Sequence, residues 1–346
     1  MPPERRSRLE PRDGRDGAGN ARIAGAILGA CACLFPPSAR AGDIPPPFSW
    51  EEAGGLQRLF LQLPFEAPSV AAPRTFEGEV RLIYSNTILV EAGPRAAIDV
   101  DLESAFVTGF LRYGIAPGLE VELALPMTLD YGGFLDGPIE AVEGLFNAAN
   151  PARKTRPRGL TRFDVSYLGK PVRVDGAEAG VGDAWLGLKN LLLDAQGPWP
   201  ALALRAALKL PTGRYPFGSG EVDVGGSAFA GWTLHWLAVR LQVDAEVPTA
   251  NLRAVGIPTQ PYGSLHLGFT ALPWDSLAFQ LQVTASTSPL KDTWLYDIDA
   301  GVRYLLLGVS VALSRSTWLD VGLEENVWSP NRGLDFAIFL ATKGRL

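Results

Sequence analysis

Sulfur and imidazole chemistry are almost missing from this chain, which has two cysteines and two histidines in 346 residues. Both cysteines, Cys31 and Cys33, lie in one apolar stretch near the start, so the chain beyond residue 41 has none. That excludes disulfides, thiol catalysis and cysteine-ligated zinc there. His235 and His266 alone cannot build a histidine-rich metal site. Long hydrophobic runs are absent too. A helix needs about 20 consecutive apolar residues to cross a bilayer, and the stretch from Ile23 to Phe35 falls short. Basic excess is likewise missing: the net charge of −6 argues against nucleic acid, which wants a concentrated cationic face. What the chain has is 47% hydrophobic residues, more than a disordered segment carries and ample for a core.

The first 22 residues are arginine-rich, the apolar stretch follows, and Ala39-Arg40-Ala41 ends it with a small-x-small pattern. A basic, then apolar, then small-residue order predicts a secretory signal peptide over residues 1–41. Leu28-Gly-Ala-Cys31 offers a competing lipidation reading, although the apolar run continues past Cys31. Export without cysteine suits an oxidising compartment.

From Thr75 onward apolar and polar residues alternate with period two, segment after segment, as strands with two chemically different faces do. In 76–91, Val80, Leu82 and Ile88 stand against Glu77, Glu79 and Arg81. Further on, Leu237, Val239, Leu241 and Val243 stand against Arg240, Gln242 and Asp244. Twelve such strands can be counted, and an even number closes an up-and-down antiparallel barrel with both ends on one side. Short turns such as 114–118 and 232–235 alternate with mostly longer connections such as 132–179 and 248–260, an outer-membrane barrel arrangement with the long loops outside. A soluble β-sandwich or lipocalin-like barrel alternates as well, and periodicity alone does not say which face points inward. Export, missing cysteine, strand length and loop alternation favour a closed transmembrane β-barrel over residues 75–346. Its apolar faces then meet lipid and its charged faces line the lumen. Aromatics near strand ends, Tyr84, Tyr131, Trp232, Trp236, Trp274, Trp294, Trp318 and Trp328, suit interfacial girdles.

On this reading the lumen has an acidic sector of Glu77, Glu79, Asp99, Asp101, Glu103, Glu120 and Glu122 from the first strands. Asp297, Asp299, Asp320, Glu324 and Asp335 join it from the last. A basic sector of Lys189, Arg205, Lys209 and Arg240 faces it. Such a transverse field would orient and select polar solutes. Alternatively, opposite charges meet across a filled lumen and lock it. The acids also raise calcium or glycosidase chemistry, but lumen lining balanced by Arg81 and Arg112 is the simpler reading. No Walker loop, dinucleotide fingerprint, nucleophile elbow or zinc helix is present, and no cofactor or metal is implied. Ser264 and His266 share a strand face and are the one pair that could serve a lipid hydrolase.

Three stretches carry a family likeness. They are Gln57 to Phe65 leading into Tyr84-Ser-Asn-Thr87; Gly132 to Asp136 with Ile139-Glu140; and Gly182-Asp183 with Leu204 to Gly213. In this order they resemble the domain-of-unknown-function 3187 family of Gram-negative β-rich proteins. The resemblance implies an outer-membrane barrel-like fold and no activity. One departure is the ending, Ala341 to Leu346, where such barrels commonly finish on an aromatic residue.

Two segments break the strand pattern. Residues 42–74 are proline-rich with Leu59, Leu61, Leu63 and Phe65 alternating, and are expected to enter the lumen as a plug or pack below it. Residues 132–159 hold a helix-like piece and the basic run Arg153, Lys154, Arg156 and Arg158, expected to form a constriction or to meet lipopolysaccharide. The predicted role is a channel or uptake protein for small polar or amphipathic solutes, not an enzyme. Its partners would be outer-membrane lipid, lipopolysaccharide and the barrel-assembly machinery, and not nucleic acid. A plugged structural barrel is the alternative from another class.

Overall fold

The computed structural model describes residues 44–52, 54–146, 153–314, 316–326 and 335–346. The signal-peptide and lipidation expectations, and Trp328, lie outside these residues.

Among the described residues, fifteen strands form one sheet that closes on itself. The first wall runs through β1 (Phe76–Ala92), β2 (Ala96–Ala116) and β3 (Leu119–Tyr131). Between β3 and the next wall strand come helix α1 (Asp136–Phe146) and the hairpin of β4 (Arg162–Tyr167) and β5 (Lys170–Asp175). Then β6 (Glu178–Val181) and β7 (Trp185–Leu193) both pair with β3 and together make one wall position. The remaining wall is β8 (Ala201–Lys209), β9 (Asp223–Leu234), β10 (Leu237–Pro248), β11 (Tyr262–Trp274) and β12 (Leu277–Ser286). It ends with β13 (Val302–Ala312), β14 (Thr317–Glu325) and β15 (Phe336–Arg345). Antiparallel pairing of β15 with β1, from Glu77 opposite Arg345 to Asn86 opposite Phe336, shuts the cylinder. With β6 and β7 counted as one, the barrel has twelve strands, as the periodicity predicts.

Burial decides which face looks inward. In β10, Arg240, Gln242, Asp244 and Glu246 are buried, while Val243 and Val247 are exposed. The same inversion recurs around the wall, where Leu125, Met127, Leu188, Leu204, Leu265, Leu323 and Leu340 stand on the outside. A water-soluble barrel would do the reverse. An apolar coat round a closed ladder, which leaves no backbone group unpaired towards lipid, is the arrangement a bilayer demands.

Strand β2 departs from the expected parity. Phe106 and Phe110, each 5% exposed, face inward with Thr108 and Arg112, so Asp99, Asp101 and Glu103 lie on the opposite, outer face. The acids therefore do not line the lumen. Where the long β1–β2 hairpin rises above the wall, the described parts of the connection, 132–146 and 153–159, fold over this outer face and cover them. Gly133, at φ +62°, makes the turn, and its missing Cβ leaves room for the Glu103 carboxylate, which accepts the backbone N–H of Phe134 (3.0 Å) and Leu135 (2.6 Å). Inside, the apolar face of the hairpin packs with Leu56, Leu59 and Phe60, together with Val255, Ile257 and Leu290 from other long connections. That cluster closes the long-loop mouth.

Candidate functional site: the filled lumen

Residues 44–52 and 54–71 lie inside the barrel, and 72–74 are exposed at its short-turn mouth beside Gly114. The chain enters at the short-turn mouth, where Ile44, Pro46 and Pro47 share a cavity with Asp275, Ser314 and Arg345. It climbs to the 3₁₀ turn Gln57–Leu59 among the long-loop residues, then descends to meet β1. The two limbs touch through Phe65 N–H and the Trp50 carbonyl, 3.1 Å apart. Six prolines suit a segment that makes no sheet of its own, because its backbone groups are satisfied by wall side chains instead.

Those partners are polar at nearly every step. Lys343 donates to the carbonyls of Pro46 and Pro47, both at 2.8 Å, while Gln280 accepts from Phe48 N–H at 3.0 Å. Glu51 pairs with Arg81, Ser49 donates to Glu79, and Trp50 Nε1 donates to Glu324. At the top, Arg58 forms a two-pronged pair with Asp130, at 2.8 and 2.6 Å. Descending, Leu59 accepts from Lys209 and Leu61 donates to Asp223. Arg205 and Gln242 both donate to the Pro64 carbonyl, at 3.1 and 3.0 Å.

Glu66 is the hub. Its carboxylate lies 2.7 Å from Arg112, 2.8 Å from Lys189 and 3.6 Å from Arg205, cations of three different strands. Lys189 also reaches Glu120, and Arg205 reaches Glu122, each at 3.6 Å. Glu66, Glu120 and Glu122 could bring three carboxylate oxygens together for a cation, but the two arginines and the lysine already occupy that role. Sequence periodicity does not reach Glu66, because it sits on no strand; its signal is a lone buried acid in an otherwise apolar run.

The expected sectors thus sort into three groups. Glu79, Glu120, Glu122, Asp320 and Glu324 are buried lumen residues, and Glu77 is half-buried at the short-turn mouth. Lys189, Arg205, Lys209 and Arg240 are buried lumen residues as well. Asp297 and Asp299 are not on the wall: they occupy a helical turn at Tyr296–Asp299, where Asp299 accepts from Thr293 and Trp294. Asp99, Asp101 and Asp335 bind the loop arginines: Arg156 reaches Asp99 (2.5 Å) and Asp101 (2.9 Å), and Arg153 reaches Asp335 (2.6 Å). Arg158 pairs with Glu140 of α1, and this hydrogen bond lowers the carboxyl below its usual range. The three arginines expected to meet lipopolysaccharide are therefore turned onto the protein's own acids. Within the lumen, acids and bases interleave on neighbouring strands rather than confronting each other across it.

The Ser264 and His266 pair also separates. His266 Nδ1 bonds with Thr284 Oγ1 at 2.8 Å, Nε2 lies 2.9 Å from Asp244, and the ring stacks on Phe65 with centroids 5.5 Å apart. Ser264 is not among its partners. Tyr84 is no girdle residue either: its hydroxyl donates to Glu103 at 2.5 Å beneath Phe134. Gly268 makes the Phe65 stack fit, since a Cβ there would lie 2.4 Å from that ring. Gly268→Leu is accordingly expected to cost about 1–3 kcal/mol and to loosen the descending limb, read as faster proteolytic cleavage within 44–74. An unchanged cleavage rate would show that the limb does not depend on this contact.

Between the luminal segment and the short-turn mouth lies a vestibule of about 850 Å³, reaching from Glu77 and Arg345 up to Glu66 and Lys189. A closed twelve-stranded cylinder, apolar outside and charged within, defines the class: an outer-membrane β-barrel fold. Within that class, the chain belongs to the family described as protein of unknown function (DUF3187), whose pattern it matches over residues 23–345. The structure is similar to the COG4313 outer membrane channel from Pseudomonas putida F1, at 16% identity and a TM-score of 0.53, covering 80% of this chain and 97% of that one. Weaker likenesses are the NanC porin (7% identity, TM-score 0.44, 78% and 100% covered) and the Pseudomonas putida toluene transporter TodX (10%, 0.39, 86% and 98%). At 16% identity the likeness to the COG4313 channel shows the fold alone. No curated protein sequence matches the chain.

Proposed function

We propose that this protein is a small-solute channel or uptake protein of the Gram-negative outer membrane, exported by residues 1–41, whose lumen residues 44–74 close as a movable plug. The carrying observation is the chemistry of the wall behind the plug. Gln242, Gln280, Gln282, Thr270, Thr284, Ser227 and Ser310 all face the lumen and are buried. Hydrogen bonds exchanged for water contribute little net free energy each, so such a wall hydrates readily when the plug leaves. A wall meant to hold a permanent core would be apolar. Polar or amphipathic solutes fit a channel so lined, and the apolar coat supports a site in outer-membrane lipid with delivery by the barrel-assembly machinery as part of this reading.

One observation favours a permanently filled structural barrel instead: the apolar cluster of Leu56, Leu59 and Phe60 under the long loops seals the outer end. Conductance in planar bilayers separates the two. The full chain is expected to be mostly closed with rare steps, and a variant lacking residues 44–74 to show large, frequent ones. Absence of steps from both proteins, each verified as folded by its heat-dependent gel migration, would sink the channel reading. Joining plug to wall through Ser49→Cys and Glu79→Cys should abolish the rare steps of the full chain, with recovery on reduction.

A further inference from the structure

Every buried lumen cation but one has a carboxylate beside it. Arg58 has Asp130, Arg81 has Glu51, Lys189 and Arg205 share Glu66, Lys209 has Asp183 and Lys343 has Asp320. Arg240, 7% exposed on β10, has none among the described residues. Its guanidinium donates only to neutral oxygens, Thr270 Oγ1 at 2.9 Å and the Pro45 carbonyl at 3.1 Å. Burying a charge without a counter-charge is expensive, and neutral acceptors replace the lost hydration only in part.

Arg240 also lines a cavity of about 300 Å³, distinct from the vestibule, between the descending limb and the lower ends of β8, β9 and β10. Ala67, Pro68, Val70 and Leu191 supply apolar lining, and Ser69 and Thr233 supply hydroxyls. Gly231 leaves the space that Pro68 fills, since a Cβ there would lie 2.9 Å from the proline ring. Asp194, exposed in the β7–β8 turn, borders the cavity and forms no ion pair with Arg240.

We propose that this cavity is a binding site for a small organic monoanion, a carboxylate with a short apolar body, held by a charge-assisted hydrogen bond from Arg240. One cation balances one negative charge, which disfavours a dianion such as phosphate, and the apolar lining takes the body of the ligand. The site opens towards the short-turn mouth and does not depend on plug movement, so it stands or falls separately from the channel reading. Because Arg240 also holds Pro45, where the luminal segment begins, an occupant shares its donor with the plug.

The test is titration calorimetry of the full chain refolded in detergent, with hexanoate as probe and hexanamide and inorganic phosphate as comparisons. Saturable hexanoate binding is expected, with each comparison weaker by about tenfold or more. Arg240→Gln should remove the binding while leaving the fold at least as resistant to denaturant, since it deletes an uncompensated buried charge. Ala201→Phe, which fills the cavity and keeps the charge, should remove it as well. Arg345→Gln, in the neighbouring vestibule, should leave it unchanged. No saturable hexanoate binding, equal binding by Arg240→Gln, or equal affinity for phosphate would each overturn the proposal.

Discussion

Replacing Glu66 by alanine is expected to be the most damaging single change in the lumen, costing about 3–5 kcal/mol as the breaking of a buried charge network does. The carboxylate touches Arg112, Lys189 and Arg205 within 3.6 Å, and its removal leaves three cations facing the more distant Glu79, Glu120, Glu122 and Asp244, at 3.6 to 4.0 Å. Those acids are fixed to the wall and cannot follow. The descending limb also loses its main ionic tie, since its remaining bonds to the wall are backbone contacts such as Pro64 to Arg205. Guanidinium unfolding in detergent, followed by fluorescence of the lumen tryptophans Trp50 and Trp185, gives the stability. A midpoint equal to that of the parent would mean the hub holds nothing. Removing one cation as well, in the pair Glu66→Ala with Arg112→Met, should recover part of the loss, because the network then carries one fewer unbalanced charge.

The second large effect belongs to the outer surface. Leu267 on β11 stands opposite Leu241 of β10 and Val283 of β12, mid-strand and facing out. Leu267→Arg is expected to cost about 2–4 kcal/mol in a lipid bilayer, the depth-dependent penalty for a cation at mid-membrane. On a water-facing surface the same exchange would fall within about 0.5 kcal/mol. Unfolding from phospholipid vesicles measures it directly. A negligible difference would remove the bilayer from the account of this fold.

Much of the barrel was legible along the chain, because a two-faced strand writes its environment into alternate residues. Arg240, Gln242 and Asp244 against Leu241 and Val243 needed only the decision about which face is inside, and the exposed leucines made it. In β2 the same rule misled. There the inner face is apolar, since Phe106 and Phe110 meet Phe48, Trp50, Leu61 and Leu63 of the luminal segment. The outer face is acidic because Arg156 and Arg162 come over it from later segments. Alternation reports contrast between faces, and both covering pieces are remote in sequence, so nothing local distinguished Asp101 from Glu120. Glu66 was invisible for a related reason: its value lies in three cations separated from it by 46, 123 and 139 positions.

The path of residues 44–74 has a topological consequence. They enter and leave by the same mouth, folded back upon themselves, and β1 begins where they exit. Among the described residues, neither limb of this segment runs on through the long-loop mouth. The β15–β1 seam can therefore close first round an empty, watery interior, and the doubled segment can slide in afterwards like a bolt. Its withdrawal would retrace the same route, with no strand of the wall unzipped and no knot to undo.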